Sequence, residues 1–270
     1  MTSAIVPGPY PDRMHSRRAA AAGTLFAAVL LISGCAVSSA VRTEDDDLGT
    51  VDVYDIGADA TLSPAPSGPA DEIWTMFVGV VTAPVAAGTF NSYRVGDSSD
   101  SDTMAYVSRD LDDPTEWMLV ANAAYADDAD TLLQTLIHEY AHVLSLGVDQ
   151  VPETSGDCDT LELSEGCALP TSFIYAYQTD FWDAYGDEAP GPDNDDAEVA
   201  DAFYATHEED FVSEYAATNV TEDFAESFAA FVLEAEPDSD SPLARKLDFF
   251  WGVPEFVQIR AHISEHFGLE

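Results

Sequence analysis

The sequence predicts an α+β domain, with a small, mostly antiparallel sheet first and a helical C-terminal half after it. Three observations carry that reading. Short apolar runs alternate with turn signals between Ile73 and Ala126, one long apolar run covers residues 131–146, and helical periodicity dominates from about residue 172 onward. The runs at 74–81, 90–95, 103–108 and 117–124 read as strands, each bounded by Gly, Pro, Asp or Ser. The run at 131–146 follows acidic residues at 128–130, which suit a helix N-terminus, and it stops at Gly147, which suits a C-cap. Later helices are expected at about 172–185, 197–205, 221–233, 242–251 and 254–267, and the chain carries no internal repeat.

The N-terminal region has a different composition. Arg13, Arg17 and Arg18 precede an apolar stretch from Ala19 to Ile32, and Ser33-Gly34-Cys35 follows, which is the order of a secretory signal. Leu31-Ile32-Ser33-Gly34-Cys35 resembles the bacterial lipobox, in which the cysteine receives a diacylglycerol, and two acyl chains suffice for stable anchoring. The competing reading is an uncleaved membrane helix, because residues 19–41 carry no charge and are long enough to span. Residues 1–34 are therefore expected to be a lipoprotein signal peptide. Residues 35–70, rich in Ser, Asp, Thr, Gly and Pro, would be a lipid-anchored disordered tether, and residues 71–270 one folded domain. The expected location is extracytoplasmic, on the outer face of the bacterial cell membrane, as a monomer held through Cys35.

Charge narrows the partners. Removing residues 1–34 takes away three Arg and one Asp and leaves six basic and 50 acidic side chains, a net charge of −44 over 236 residues. Such a field excludes nucleic acid and favours cations and basic or neutral peptides. The acidic tracts at 44–47, 127–130 and 193–196 lack the Gly and bidentate Glu spacing of an EF-hand and read as solvated surface. With Cys35 assigned to lipid, Cys158 and Cys167 remain as a pair in an oxidising compartment, most simply a disulfide. Their spacing is too wide for a paired-thiolate metal knuckle, and no His lies nearby.

The chemistry is concentrated in His138-Glu139-Tyr140-Ala141-His142. A spacing of four on a helix puts both imidazoles on one face, one turn apart, where they can hold one Zn²⁺ with Glu139 beside them as general base. That pattern points to a metallopeptidase acting on a peptide or protein substrate. Catalytic zinc takes a third protein ligand. The metzincin arrangement is excluded, because Ser145 and Val148 stand where it requires Gly and His. His207, His262 and His266 qualify by residue type but sit among charged residues, as surface histidines do. Glu162 and Glu165 lie about twenty residues after His142, the place of the glutamate ligand in a thermolysin-like arrangement, but in a segment with no long amphipathic helix. Glu222 and Glu226 share one face of an expected helix whose packing stripe is Phe224, Phe228, Phe231 and Val232. One of these carboxylates can ligate while the other supports, and Glu226 is placed to accept the free N–H of a ligating His.

The stretch Tyr215-Ala-Ala-Thr-Asn-Val-Thr-Glu-Asp-Phe-Ala-Glu-Ser-Phe228, taken with His138-Glu-Tyr-Ala-His142, resembles the gluzincin metallopeptidases related to the catalytic domain of anthrax lethal factor. The resemblance covers about fifty residues in two blocks. It implies a zincin-like fold, Zn²⁺ as cofactor, Glu222 as third ligand, Glu226 as the following acid and Tyr215 as the hydroxyl that stabilises the transition state. Without it, Tyr215 reads as a core or interface aromatic. Residues 148–210, with their cysteine pair, depart from the family pattern and leave specificity open. An extended substrate is expected to pair with an edge strand near residues 117–124. The alternative function is a non-catalytic surface lipoprotein that binds zinc or a partner through the same pocket.

Overall fold

A computed structural model describes residues 40–154 and 156–269. The expected signal peptide at 1–34 and Cys35, the expected site of lipidation, lie outside the described residues. The architecture is mixed α+β, with the sheet in the first half and helices in the second. Strands β1 (Val41–Asp45), β2 (Gly49–Ile56) and β3 (Leu62–Ser63) come first, followed by helices α1 (Pro69–Val81) and α2 (Ala83–Thr89). Strands β4 (Phe90–Gly96), β5 (Ala105–Arg109) and β6 (Trp117–Asn122) then lead into α3 (Ala129–Leu146). The sheet order is β1-β2-β4-β6-β5, with β3 also on β2, and every pairing is antiparallel except β4 with β6.

Three expectations are corrected here. The segment expected to be a tether through residue 70 is folded from β1 onward, because the β-branched and aromatic residues Val51, Val53 and Tyr54 suit a strand, Val51 and Tyr54 bury their side chains, and β2 finds an open partner edge in β4. The run at 74–81 is helical. Pro69 opens α1, Asp71 and Glu72 occupy its first turn, and Ile73, Trp74, Phe77, Val80 and Val81 recur at helical spacing on its buried face. A short continuous apolar run is ambiguous between the two structures until its neighbours are known. The edge strand is β5 rather than the run at 117–124, because β6 inserts between β4 and β5. Spatial strand order is a long-range property that the order along the chain does not carry.

The β1–β2 turn folds Leu48 against Val51, Val120 and Tyr106 on the second face of the sheet. Gly96 makes this approach feasible, since a Cβ there would lie 2.6 Å from that of Leu48. A fragment starting at Asp71 removes β1 to β3. It strips β4 of its antiparallel neighbour and Trp74 Nε1 of its 2.9 Å bond to the Ala60 carbonyl. That fragment is expected to show no cooperative thermal transition by circular dichroism, whereas residues 36–270 melt cooperatively; equal melting of the two would contradict it.

After α3, a disulfide between Cys158 and Cys167 clasps a hairpin of β7 (Glu162–Leu163) and β8 (Gly166–Cys167). The helix expected at 172–185 is broken into α4 (Phe173–Tyr177), a π-helical turn (Gln178–Trp182) and a 3₁₀ segment (Asp183–Glu188) with Gly186 at positive φ. The remaining helices are α5 (Ala197–His207), α6 (Val220–Leu233), α7 (Pro242–Trp251) and α8 (Pro254–Phe267). Helix α3 packs between β5 and α6. Behind α6, a cluster of Tyr177, Phe224, Phe228, Phe231, Phe250 and Phe256 is almost wholly excluded from solvent. Among the described residues no single helix is long and apolar enough to cross a membrane.

Candidate metal centre

Two helices build the centre. Asp128 caps α3 by accepting from the backbone N–H of Thr131 at 3.4 Å, with the Thr131 hydroxyl donating to its other oxygen at 2.9 Å, and eighteen helical residues carry His138, Glu139 and His142 into the interior. Asn219 caps α6 through bonds of 2.9 Å from the N–H groups of Thr221 and Glu222. The cap is thus Asn219, and the Thr221 hydroxyl only donates to it at 2.7 Å. This cap fixes Glu222 in the first turn of α6, facing α3.

Nε2 of His138 and Nε2 of His142 lie 3.0 Å apart, and Oε2 of Glu222 lies 3.1 Å from the first and 3.4 Å from the second. Donor atoms about 2.0–2.1 Å from a tetrahedral zinc stand about 3.3–3.4 Å apart, so the triangle has the size of one face of that tetrahedron. The three residues are the one such group among the described residues. All are under 10% exposed, and Oε2 of Glu222 and Nδ1 of His142 are buried with no hydrogen-bond partner among the described residues. A buried carboxylate oxygen that faces two imidazole nitrogens at this spacing fits a divalent cation.

The neighbouring groups have defined partners. Glu226 Oε1 meets Nδ1 of His138 at 2.8 Å, and its other oxygen accepts from the Ser213 hydroxyl at 2.7 Å. Glu139 Oε2 accepts from the backbone N–H of Val107, the central residue of edge strand β5, at 3.0 Å. The half-buried Tyr215 has its ring centroid 6.0 Å from that of His138. Of the other candidates, His262 bonds the Gly79 carbonyl at 2.9 Å, His266 packs on Gly79 and Phe267, and His207 packs on Tyr185 and Phe203. Glu162 and Glu165 belong to the disulfide hairpin and stand apart from the centre. Reasoning from sequence missed Ser213 and Val107. Ser213 is two residues before Tyr215, a place where a hydroxyl facing the Glu226 helix face could have been sought.

The electrostatics follow from burial and these contacts. Burial alone would lower the pKa of His138, but its ion-pair contacts with the Glu222 and Glu226 carboxylates outweigh that and hold it well above the ordinary value. Burial opposes ionisation of Glu222, yet the imidazoles of His142 and His138 hold its carboxyl far below the usual range. Burial raises Glu139, a shift only partly offset by the two histidines. A proton is therefore favoured on His138, and a metal taken up here would have to expel it, so affinity is expected to fall on acidification. Glu226→Ala leaves His138 Nδ1 unoriented and is expected to weaken the binding of a divalent cation at this centre about 10–100-fold in a chelator competition titration, with Glu226→Gln losing less.

No protein-family model matches this chain, and neither does any curated protein or solved structure. The arrangement of its own side chains carries the functional reading.

Proposed function

We propose that this chain is a zinc-dependent metallopeptidase with a zincin-like fold, hydrolysing peptide bonds. The observation that carries the reading is the convergence of His138, His142 and Glu222 at tetrahedral spacing, beside a buried carboxylate on the same helix. Those three residues would hold the ion, which when bound supplies Lewis acidity to acidify water and polarise a carbonyl. Glu139 takes the proton of the attacking water and passes it to the leaving amine, and its raised pKa suits both transfers. The Val107 N–H orients its carboxylate. Glu226, itself held by Ser213, fixes the His138 ring with its Nε2 toward Glu222. Tyr215 donates its hydroxyl to the oxyanion that develops as the carbonyl is attacked, an interaction strongest in the transition state. An extended peptide adds to the edge strand β5.

In the same proposal Cys35 carries the lipid that holds the enzyme on the outer face of the membrane. With β1 starting at Val41, only residues 36–40 separate that lipid from the sheet, a reach of at most about 18 Å, so substrates would be met close to the bilayer. A protein that merely stores zinc needs the three ligands but has no use for a buried Glu139 bonded to an edge strand.

The test is elemental analysis together with cleavage of a diverse peptide library by the full chain. One zinc per chain, lost in His142→Ala, and cuts abolished by chelation and restored by zinc are expected. Zinc binding without any cleavage would favour the non-catalytic alternative, and no zinc binding would overturn both.

A further inference from the structure

Helix α3 packs against β5 on one side and α6 on the other, and the 3₁₀ turn at Tyr215 leads into α6, so a substrate cleft over the three donors would have β5 and the Tyr215–α6 segment as its walls. Bonds bridge these two walls at one end. Arg109, the last residue of β5, donates from Nη2 to the carbonyls of Leu146, at the end of α3, and of Val151, the latter at 2.7 Å. Its Nη1 donates to the Glu165 carbonyl in the β7–β8 turn at 3.3 Å. From the same turn, the N–H of Ser164 donates to the Asp193 carboxylate at 3.0 Å. The next residue, Asn194, donates through Nδ2 to the Thr218 carbonyl at 3.0 Å, and its carbonyl accepts from Nδ2 of Asn219 at 3.0 Å. Asn219 is the cap of α6. A continuous line of bonds thus runs from the end of β5, through the hairpin turn, to the opposite wall. The bridge is braced by the Cys158–Cys167 disulfide and by Gly166, where a Cβ would lie 2.2 Å from the Pro152 carbonyl oxygen.

Its position along the strand sets a length. Val107 bonds Glu139 and so marks the reacting bond on β5, and Arg109 is two residues, about 7 Å, further along. Antiparallel pairing is the more stable mode, and a peptide added that way places its amino-terminal end at Arg109. We propose that the disulfide hairpin closes the cleft on the amino-terminal side of the reacting bond, so that the substrates are peptides with a free amino terminus and one or two residues before the bond cut. The chain beyond the cut has no such limit. This rests on the metallopeptidase reading. The carboxylates of Asp149, Glu153 and Glu165 all act on the Arg109 guanidinium and outnumber it, leaving a field that favours a terminal ammonium.

The experiment uses the full chain and peptides built around the bond cut in the library, with one, two, four or eight residues before it and the amine free or acetylated. Peptide affinity is measured on Glu139→Gln by fluorescence anisotropy, and kcat/KM on the unmutated protein. Both are expected to fall at least ten-fold between two and four preceding residues, and on acetylation of the short peptides, while lengthening the far side changes them less than three-fold. Asp193→Ala frees the hairpin turn and should narrow the short-to-long preference at least three-fold, a ratio insensitive to the fraction of folded protein. Equal binding and cleavage at every length would overturn the proposal and leave the peptidase reading standing. An unchanged ratio in Asp193→Ala would overturn the hairpin as the barrier, and cleavage of no peptide would overturn both readings.

Discussion

Lys246→Met is expected to lower the free energy of unfolding by about 3–5 kcal/mol, seen as a lower denaturant midpoint with an unchanged slope. The Lys246 ammonium is 2% exposed, lies 2.7 Å from the Asp223 carboxylate, and sits 3.6 Å from the centre of the Phe211 ring. Asp223 is wholly buried and also accepts from Trp182 Nε1 at 2.7 Å and from the Ser227 hydroxyl at 3.3 Å. Burial pushes Asp223 up and Lys246 down, and each partner only partly restores the other. Removing the lysine would leave a buried carboxylate with no cation, which costs more than the intact pair contributes. Adding Asp223→Asn to Lys246→Met removes the orphaned charge and should recover part of the loss, a coupling that a double-mutant cycle measures. A loss below about 1 kcal/mol would mean that water reaches the pair. Because Asp223 directly follows Glu222 on α6, the single variant should also weaken zinc binding.

Glu139→Gln is expected to lower kcat by about 10²–10⁴-fold, the range for loss of a positioned general base. The amide keeps the shape of the side chain and an oxygen for the Val107 N–H, so zinc content and melting temperature should match the unmutated protein. Loss of activity with the metal retained separates proton transfer from metal binding. Activity within ten-fold of the unmutated protein would place the base elsewhere.

Much of the centre was legible because helices repeat locally. His138 and His142, like Glu222 and Glu226, share a face by spacing alone, and both helices carry apolar stripes that predict which face turns inward. That the two faces meet, with Glu222 against both imidazoles and Glu226 behind one of them, is a property of the packed pair. The contacts that sequence reasoning missed are all long-range, as Val107 with Glu139, Ser213 with Glu226 and Lys246 with Asp223 show. Val107 acts through its backbone, so its residue type carried no signal.

By itself, the sequence determined the α+β class, the positions of α3, α6, α7 and α8, and which acidic and imidazole groups share a helical face. These depend on hydrophobic periodicity and capping, which act within a few residues. Only the tertiary structure decided that residues 41–63 join the sheet, that 69–81 coil rather than extend, that β5 is the edge, and that a hairpin bridges β5 to the cap of α6. Strand pairing and buried ion pairs draw their stability from partners far along the chain, so short polar-rich strands such as β1 and β3 become favourable only once β2 and β4 are in place to pair with them.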